Sequence, residues 1–149
     1  MRELTLNDQV VVFDREATAA VYRNIDVLGT DVCTCNSCKN FRQFRHVAYG
    51  PKLLDLLDRL GIDPLKEWEV YWAGEDHRAN GYIYYGGWFV FVGDWVTKTD
   101  PAKQQVRKEE SFSFTDNFPN GTKQFGPQPL AVEFFVQIPK ASDYVSDLQ

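Results

Sequence analysis

Hydrophobic and polar positions repeat with two different periods along this chain, and the clearer helical pattern lies near its middle. Four leucines recur at the spacing i, i+3, i+4, i+7, with charged residues between most of them: Leu53, Leu56, Leu57 and Leu60. This spacing places all four side chains on one face of a helix. Pro51 suits the first turn of a helix, and Gly61 suits the left-handed residue that ends one. The pattern predicts an amphipathic helix over residues 51–60.

A second helix is predicted just upstream, over about residues 37–48. Asn36 and Ser37 are residue types that favour the N-cap of a helix. Phe41, Phe44 and Val47 follow at three-residue intervals and keep one apolar stripe. Residues 17–26 alternate only weakly, and their pattern fits either a helical turn or a strand.

Elsewhere the period is two, which indicates strands. Several segments alternate or form short apolar runs bounded by glycine, proline or polar turns: residues 10–13, 68–72, 82–85, 88–92, 111–115 and 130–138. Both faces of residues 88–92 are apolar, which predicts a central strand covered on both sides. The expected fold class is α+β: a single domain over residues 1–149, with one or two short helices packed on a mainly antiparallel sheet. Residues 140–149 are expected to form a frayed acidic tail.

Charge and segment composition exclude some functions. The net charge of −5 and the lack of a long basic run argue against binding of nucleic acid. Lys39, Arg42, Arg45 and His46 are the nearest basic group, and their spacing is typical of a solvated helix face. The first eight residues lack the pattern of a signal peptide, and no apolar run is long enough to span a membrane. A protein of the cytoplasm, without a membrane partner, is therefore expected.

Three cysteines within six residues are the strongest chemical signal: Cys33, Cys35 and Cys38. On extended backbone the first two would lie on one side, and the tight C-x-x-C turn would bring the third back to them. Three thiolates could then bind one zinc ion. The local sequence lacks a fourth ligand, which His46, His77 or Asp31 would have to supply. Because structural zinc sites usually combine two separated ligand pairs, cysteines that bind no cofactor remain the favoured interpretation.

Two further kinds of chemistry are weaker alternatives. Cys35 and Cys38 at a helix N-terminus beside Lys39 would favour a reactive thiolate, but a thioredoxin-like site needs a parallel βαβ context. Asp76 and His77 could act as orienter and general base in the loop after residue 74. Glycines at both ends of that loop favour a solvated hairpin tip. An enzymatic function is therefore not the favoured prediction.

The chain is rich in aromatic residues, with 11 Phe, 7 Tyr and 4 Trp. Filling of the core is the favoured interpretation, but a few short helices and one sheet face would not easily bury all of them. Exposed rings could stack on a sugar or a base, or anchor a partner protein. The candidate binding residues are Trp68, Trp72, Tyr82, Tyr84, Trp88 and Trp95.

Three short motifs carry a resemblance to known proteins. They are Cys35-x-x-Cys38-Lys39-Asn40-Phe41, Leu60-Gly61-Ile62-Asp63-Pro64, and Tyr85-Gly86-Gly87-Trp88-Phe89 followed by Phe91-Val92-Gly93. In this order, over residues 33–139, the chain resembles a group of small bacterial proteins with no established activity. The resemblance implies a standalone bacterial or phage-borne domain and no catalytic residue.

These observations support three hypotheses of function. The leading one is a non-enzymatic protein that binds another protein, such as a toxin-neutralising immunity protein or a phage counter-defence factor. The second is a zinc-stabilised or thiol-redox protein that uses the three cysteines. The third is a binder of small ligands that uses the aromatic sheet.

Overall fold

Segments with period two form seven strands in the described part of the chain, and these pair into two antiparallel sheets. The computed structural model describes residues 1–26, 28–75, 81–99, 110–119 and 121–147. The strands are β1 (Arg2–Leu6), β2 (Gln9–Phe13), β3 (Glu69–Glu75), β4 (Tyr82–Phe91), β5 (Gly93–Thr97), β6 (Glu110–Thr115) and β7 (Leu130–Pro139). One sheet has the order β1-β2-β5 and the other the order β3-β4-β7-β6. The α+β class is confirmed.

Helices occupy most of the chain between β2 and β3. They are α1 (Arg15–Arg23), the short α2 (Gly29–Val32), α3 (Asn36–Phe44) and α4 (Pro51–Leu60), with a 3-10 turn at Arg45–Val47 after α3. The weakly alternating segment is thus helical over most of its length. The helix predicted over 37–48 begins one residue earlier, and its last part is the 3-10 turn.

Local sequence signals predict the observed bounds of α4. All four leucines of its apolar stripe are buried. Gly61 ends the helix with φ +84°, and its backbone N–H donates to the carbonyl oxygens of Asp58 and Leu57. A Cβ atom at Gly61 would lie 2.5 Å from the carbonyl oxygen of Arg15. A side chain is therefore excluded here both by backbone conformation and by the close approach of α1.

Strand β4 is continuous, whereas the sequence pattern predicted two strands separated by Gly86 and Gly87. Aromatic rings from neighbouring strands occupy the space that side chains would need at both glycines. A Cβ atom would lie 2.4 Å from Tyr71 Cζ at Gly86 and 2.5 Å from Phe134 Cζ at Gly87. The two glycines therefore permit close packing in the middle of a strand instead of ending it.

The large sheet has an inner and an outer face. The inner face carries Tyr85, Phe89 and Phe134, whose rings contact Phe41 of α3 and Tyr49 of the following segment. Side chains alternate along each strand, and directly paired residues share a face. The outer face therefore carries the alternate residues of these strands: Tyr71 on β3, Tyr82, Tyr84 and Trp88 on β4, Ser111 and Ser113 on β6, and Glu133 and Phe135 on β7.

We expect the amides of β4 to be among the slowest in the protein to exchange with solvent. This strand pairs with β3 on one side and β7 on the other, so its exchange requires an opening close to global unfolding. Hydrogen exchange measured by NMR tests this expectation, with the exposed edge strand β1 as the internal reference. Exchange of Phe89 and Val90 as fast as that of β1 would contradict the central position of β4.

The segment after β7 lies against α3. The backbone N–H of Lys140 donates to the Gly81 carbonyl oxygen at 2.7 Å, and that of Ala141 donates to Asn40 Oδ1 at 2.8 Å. Tyr144 packs against the edge of the core. These contacts join the start of the segment to α3 and to the residue before β4, and the fraying of residues 140–149 stays a prediction. Among the helices of the described ranges, none is long and apolar enough to cross a membrane.

Candidate functional site

The three cysteines lie where an extended segment enters α3. Cys35 has extended backbone and is the N-cap residue of α3, where its sulfur accepts a hydrogen bond from the Cys38 N–H at 3.4 Å. The sequence pattern predicted Asn36 or Ser37 for this capping position. Because Cys35 caps the helix, Cys38 one turn later is turned back towards it. The helix start itself therefore brings the C-x-x-C sulfurs together.

All three sulfur atoms converge. Cys33 Sγ lies 3.1 Å from Cys35 Sγ, and the three sulfurs lie within 4.8 Å of one another. Thiolates at about 2.3 Å from a tetrahedral zinc ion would be about 3.8 Å apart. The three cysteines are partly exposed and free, with no disulfide. The arrangement is thus close to that of three ligands around one small metal ion.

The three thiols differ in their electrostatic surroundings. Hydrogen bonding with the Cys38 and Cys35 side chains lowers the pKa of Cys33, and the charge of Arg42 adds to this effect. Burial raises the pKa of Cys38, and its hydrogen bonds with the other two sulfurs act in the same direction. Arg42 also donates from Nη1 to the Cys33 carbonyl oxygen at 2.8 Å, which fixes a cation beside the cluster.

Asp147 closes the same corner from the C-terminal segment. Its carboxylate accepts hydrogen bonds from the N–H groups of Asn36 and Ser37, both at 2.9 Å, and from Ser37 Oγ at 2.8 Å. Hydrogen bonding from the Ser37 and Asn36 N–H groups lowers the pKa of Asp147. Its carboxylate also interacts with the Cys35 side chain. No sequence pattern pointed to Asp147 beyond its place in an acidic tail.

The two predicted fourth ligands within the described residues, His46 and Asp31, do not join the sulfurs. His46 is exposed and lies in the 3-10 turn beyond the other end of α3. Asp31 pairs instead with Arg45, whose Nη1 lies 3.2 Å from Asp31 Oδ1. His77 and the rest of the loop with Asp76 lie outside the described residues. Within the described ranges, the cluster of ligand atoms consists of the three sulfurs.

The six aromatic binding candidates do not form one platform. Trp68 contacts Phe125 edge to face at 5.8 Å, and Trp72 pairs with Tyr85 on the inner side of the sheet. Trp95 belongs to the other sheet, where its indole Nε1 donates to Asp116 at 2.9 Å. The remaining three, Tyr82, Tyr84 and Trp88, alternate along the outer side of β4.

Residues that the sequence patterns did not single out complete the outer face around Trp88. The Tyr71 ring lies over Gly86, with its centroid 5.2 Å from that of Trp88 and 6.3 Å from that of Phe135. Glu133 pairs directly with Trp88 across the strands. The alternation of β7 alone could have placed Glu133 and Phe135 on one face, but their neighbours depend on strand register.

Comparisons with known proteins identify no relative. No family model matches the chain, and neither a curated protein nor a solved structure is similar to it at a significant level. The resemblance to small bacterial proteins therefore stays a prediction. Function has to be argued from the two arrangements above, the sulfur cluster and the outer aromatic face.

Proposed function

We propose that this protein binds one zinc ion through Cys33, Cys35 and Cys38. The observation that carries the proposal is the convergence of three sulfurs within 4.8 Å of one another. Thiolates are soft ligands, and zinc accepts several of them in tetrahedral geometry. This reverses the interpretation that the sequence alone favoured, because the missing local fourth ligand mattered more there than the convergence.

A water molecule is the proposed fourth ligand. The described His, Cys, Asp and Glu residues contribute no fourth ligand atom to the cluster. Zinc with three thiolates carries a net charge of −1, which the neighbouring Arg42 would offset in part. The N–H group of Cys38, directed at Cys35 Sγ, supplies a hydrogen bond of the kind that orients metal ligands.

The expected role of zinc is to hold the entry of α3 in place. The cysteines tie the segment after α2 to the first turn of α3, and α3 in turn packs on the inner face of the large sheet through Phe41. Binding energy at a structural metal site contributes directly to folding. We expect removal of zinc to loosen this corner before the sheet is affected.

Titration with Co²⁺ as a spectroscopic substitute for zinc tests the proposal. The chain has only three cysteines, so a thiolate-to-cobalt charge-transfer band can arise only from this cluster. We expect a band that saturates at about one equivalent and disappears when Zn²⁺ is added, because zinc binds thiolates more tightly. Cys33→Ser, Cys35→Ser and Cys38→Ser should each weaken it strongly.

His46→Ala is the matched control for the titration. His46 lies outside the sulfur cluster, so this variant should bind Co²⁺ like the wild-type protein. Loss of the band in His46→Ala, or its absence in the wild-type protein under reducing conditions, would contradict the proposed site. Formation of a Cys35–Cys38 disulfide with no metal bound would support the thiol-redox alternative instead.

A second function, binding of a partner protein, is favoured by the outer aromatic face. Trp and Tyr are enriched at the centres of protein interfaces. Trp88 and Phe135 on the two central strands, and Tyr71 on the edge strand beside them, are partly exposed. A role as an immunity-type or counter-defence protein within this class would be supported by a toxin or defence gene beside its own gene.

A further inference from the structure

Four residues form a row across the outer face of the large sheet. Glu69 of β3, Trp88 of β4, Glu133 of β7 and Ser113 of β6 are directly paired, each with the next. The adjacent row contains Tyr71, Gly86, Phe135 and Ser111 in the same order of strands. Directly paired residues lie close enough for their side chains to interact. The two rows therefore place a carboxylate among three aromatic rings.

Among the residues that the structure describes, the carboxylate of Glu133 has no counter-ion. It is only partly exposed, and no ion pair joins it to a lysine, arginine or histidine of the described part of the chain. The buried indole N–H of Trp88 interacts with it without completing a hydrogen bond. Burial raises the pKa of Glu133, as expected for a carboxylate that has lost water.

The surrounding rings favour a cation as well. Burial raises the pKa of Tyr71, and the charge of the nearby Glu133 carboxylate acts in the same direction. The faces of Tyr71 and Trp88, whose rings are tilted by 38° to one another, carry the negative side of the aromatic quadrupole. Glu69 adds a second, exposed carboxylate beside Trp88. Rings and carboxylates thus attract the same class of ligand.

The type of cation follows from the need of the Glu133 carboxylate for hydrogen-bond donors. A quaternary ammonium group could stack on the rings but has no N–H to donate to Glu133. An ammonium group donates but is compact and strongly hydrated. A guanidinium group is planar, stacks on aromatic rings and donates a pair of parallel N–H bonds to a carboxylate. We propose that the outer face binds an arginine side chain of a partner protein, with Glu133 as the acceptor and the Trp88 and Tyr71 rings as the stacking surface.

This inference rests on the proposed interaction function and is independent of the zinc site. The charge of the whole chain, −5, agrees with a basic partner, because complementary charge speeds encounter between proteins. The exposed Tyr82 and partly exposed Tyr84 continue the same face along β4 and would contact residues next to the arginine.

Three short peptides that differ at one position test the inference. Each consists of glycine and serine around a central arginine, lysine or citrulline, and citrulline keeps the shape of arginine without its charge. NMR follows the indole N–H of Trp88, assigned with Trp88→Phe. We expect the arginine peptide to shift this signal in a saturable way. The citrulline peptide should bind at least about tenfold more weakly. The lysine peptide should bind with intermediate affinity.

Glu133→Gln and Glu3→Gln are the matched variants. Glu133→Gln keeps the shape of the side chain and should reduce binding of the arginine peptide to the level of the citrulline peptide. Glu3 is exposed on β1 in the other sheet, and Glu3→Gln should bind like the wild-type protein. A readout without substitution is the pKa of Glu133 itself, which should fall when the arginine peptide is added.

Two results would overturn the inference in distinguishable ways. Equal binding of the arginine and citrulline peptides would exclude guanidinium recognition while leaving the face as an interaction surface. Failure of all three peptides to shift Trp88 would remove the support that this face gives to an interaction function. Neither result affects the Co²⁺ titration of the cysteines.

Discussion

Replacement of Arg45 by leucine should lower the free energy of unfolding by about 3–5 kcal/mol, the range for removal of one partner of a buried ion pair. Arg45 Nη2 lies 2.8 Å from Glu67 Oε1, and the Glu67 side chain has 0% exposure. Tyr49 donates its hydroxyl to Glu67 Oε2 at 2.7 Å. Without Arg45 the buried carboxylate of Glu67 would keep the hydrogen bond from Tyr49 but lose its counter-ion.

The loss in Arg45→Leu should depend on pH. Burial raises the pKa of Glu67, while Arg45 and the Tyr49 hydroxyl oppose that effect, so removal of Arg45 should raise the pKa of Glu67 further. A carboxyl whose pKa is higher in the folded than in the unfolded state stabilises the fold. This contribution is fully present below the unfolded-state pKa, about 4.3. Its contribution is lost as the pH rises through the folded-state pKa. The deficit of Arg45→Leu should therefore be large at pH 7 and smaller near pH 4.

Urea unfolding of four variants at both pH values measures these effects: Arg45→Leu, Glu67→Gln, the double variant and Arg59→Leu. Arg59→Leu makes the same change at an exposed position in the last turn of α4 and should cost no more than about 1 kcal/mol. The double variant Arg45→Leu with Glu67→Gln should be less destabilised at pH 7 than the sum of the single changes, because the two residues are coupled. A deficit of equal size at both pH values would contradict a role for the Glu67 charge.

Replacement of Leu57 by alanine should cost about 2–5 kcal/mol, the range for an emptied leucine site in a packed core. Leu57 is 0% exposed and lies on the apolar face of α4 with three other buried leucines. Alanine favours helix formation at least as well as leucine, so the loss would arise from packing and not from the backbone.

Leu54 provides the matched control, because it lies on the same helix and is 41% exposed. Leu54→Ala makes an identical chemical change at an exposed position and should alter stability by less than about 1 kcal/mol. Denaturant midpoints with unchanged slopes measure both variants. Similar losses at the two positions would show that the buried face of α4 is wrongly assigned.

The sequence predicts an element well where all its signals are local. Helix α4 needs only its leucine spacing, Pro51 and Gly61, and each of these acts within a few residues. Strand β4 was predicted as two pieces because Gly86 and Gly87 resemble a turn. The reason for these glycines lies in Tyr71 and Phe134, on strands that are distant in sequence but adjacent in the sheet. Such contacts depend on register, which local patterns do not specify.

The candidate sites likewise combine features that local sequence predicts with features that depend on residues distant in sequence. Convergence of Cys33, Cys35 and Cys38 followed from their spacing, because a short extended segment and one helical turn suffice to bring them together. The position of Asp147 could not be predicted, since it depends on how residues 140–147 return to α3. The outer face was also beyond prediction. It combines Tyr71, Trp88 and Glu133 from three strands, whereas sequence reasoning grouped Trp88 with tryptophans that point elsewhere.

The zinc content of protein purified without chelator tests the central claim most directly. The convergence of the three sulfurs predicts about one equivalent of zinc per chain. This zinc should be retained by His46→Ala and lost from Cys33→Ser, Cys35→Ser and Cys38→Ser, with a lower midpoint of thermal unfolding in those three variants. Protein that is free of zinc after purification, takes up none from a zinc-containing buffer under reducing conditions and unfolds at the same temperature with or without chelator would contradict the claim.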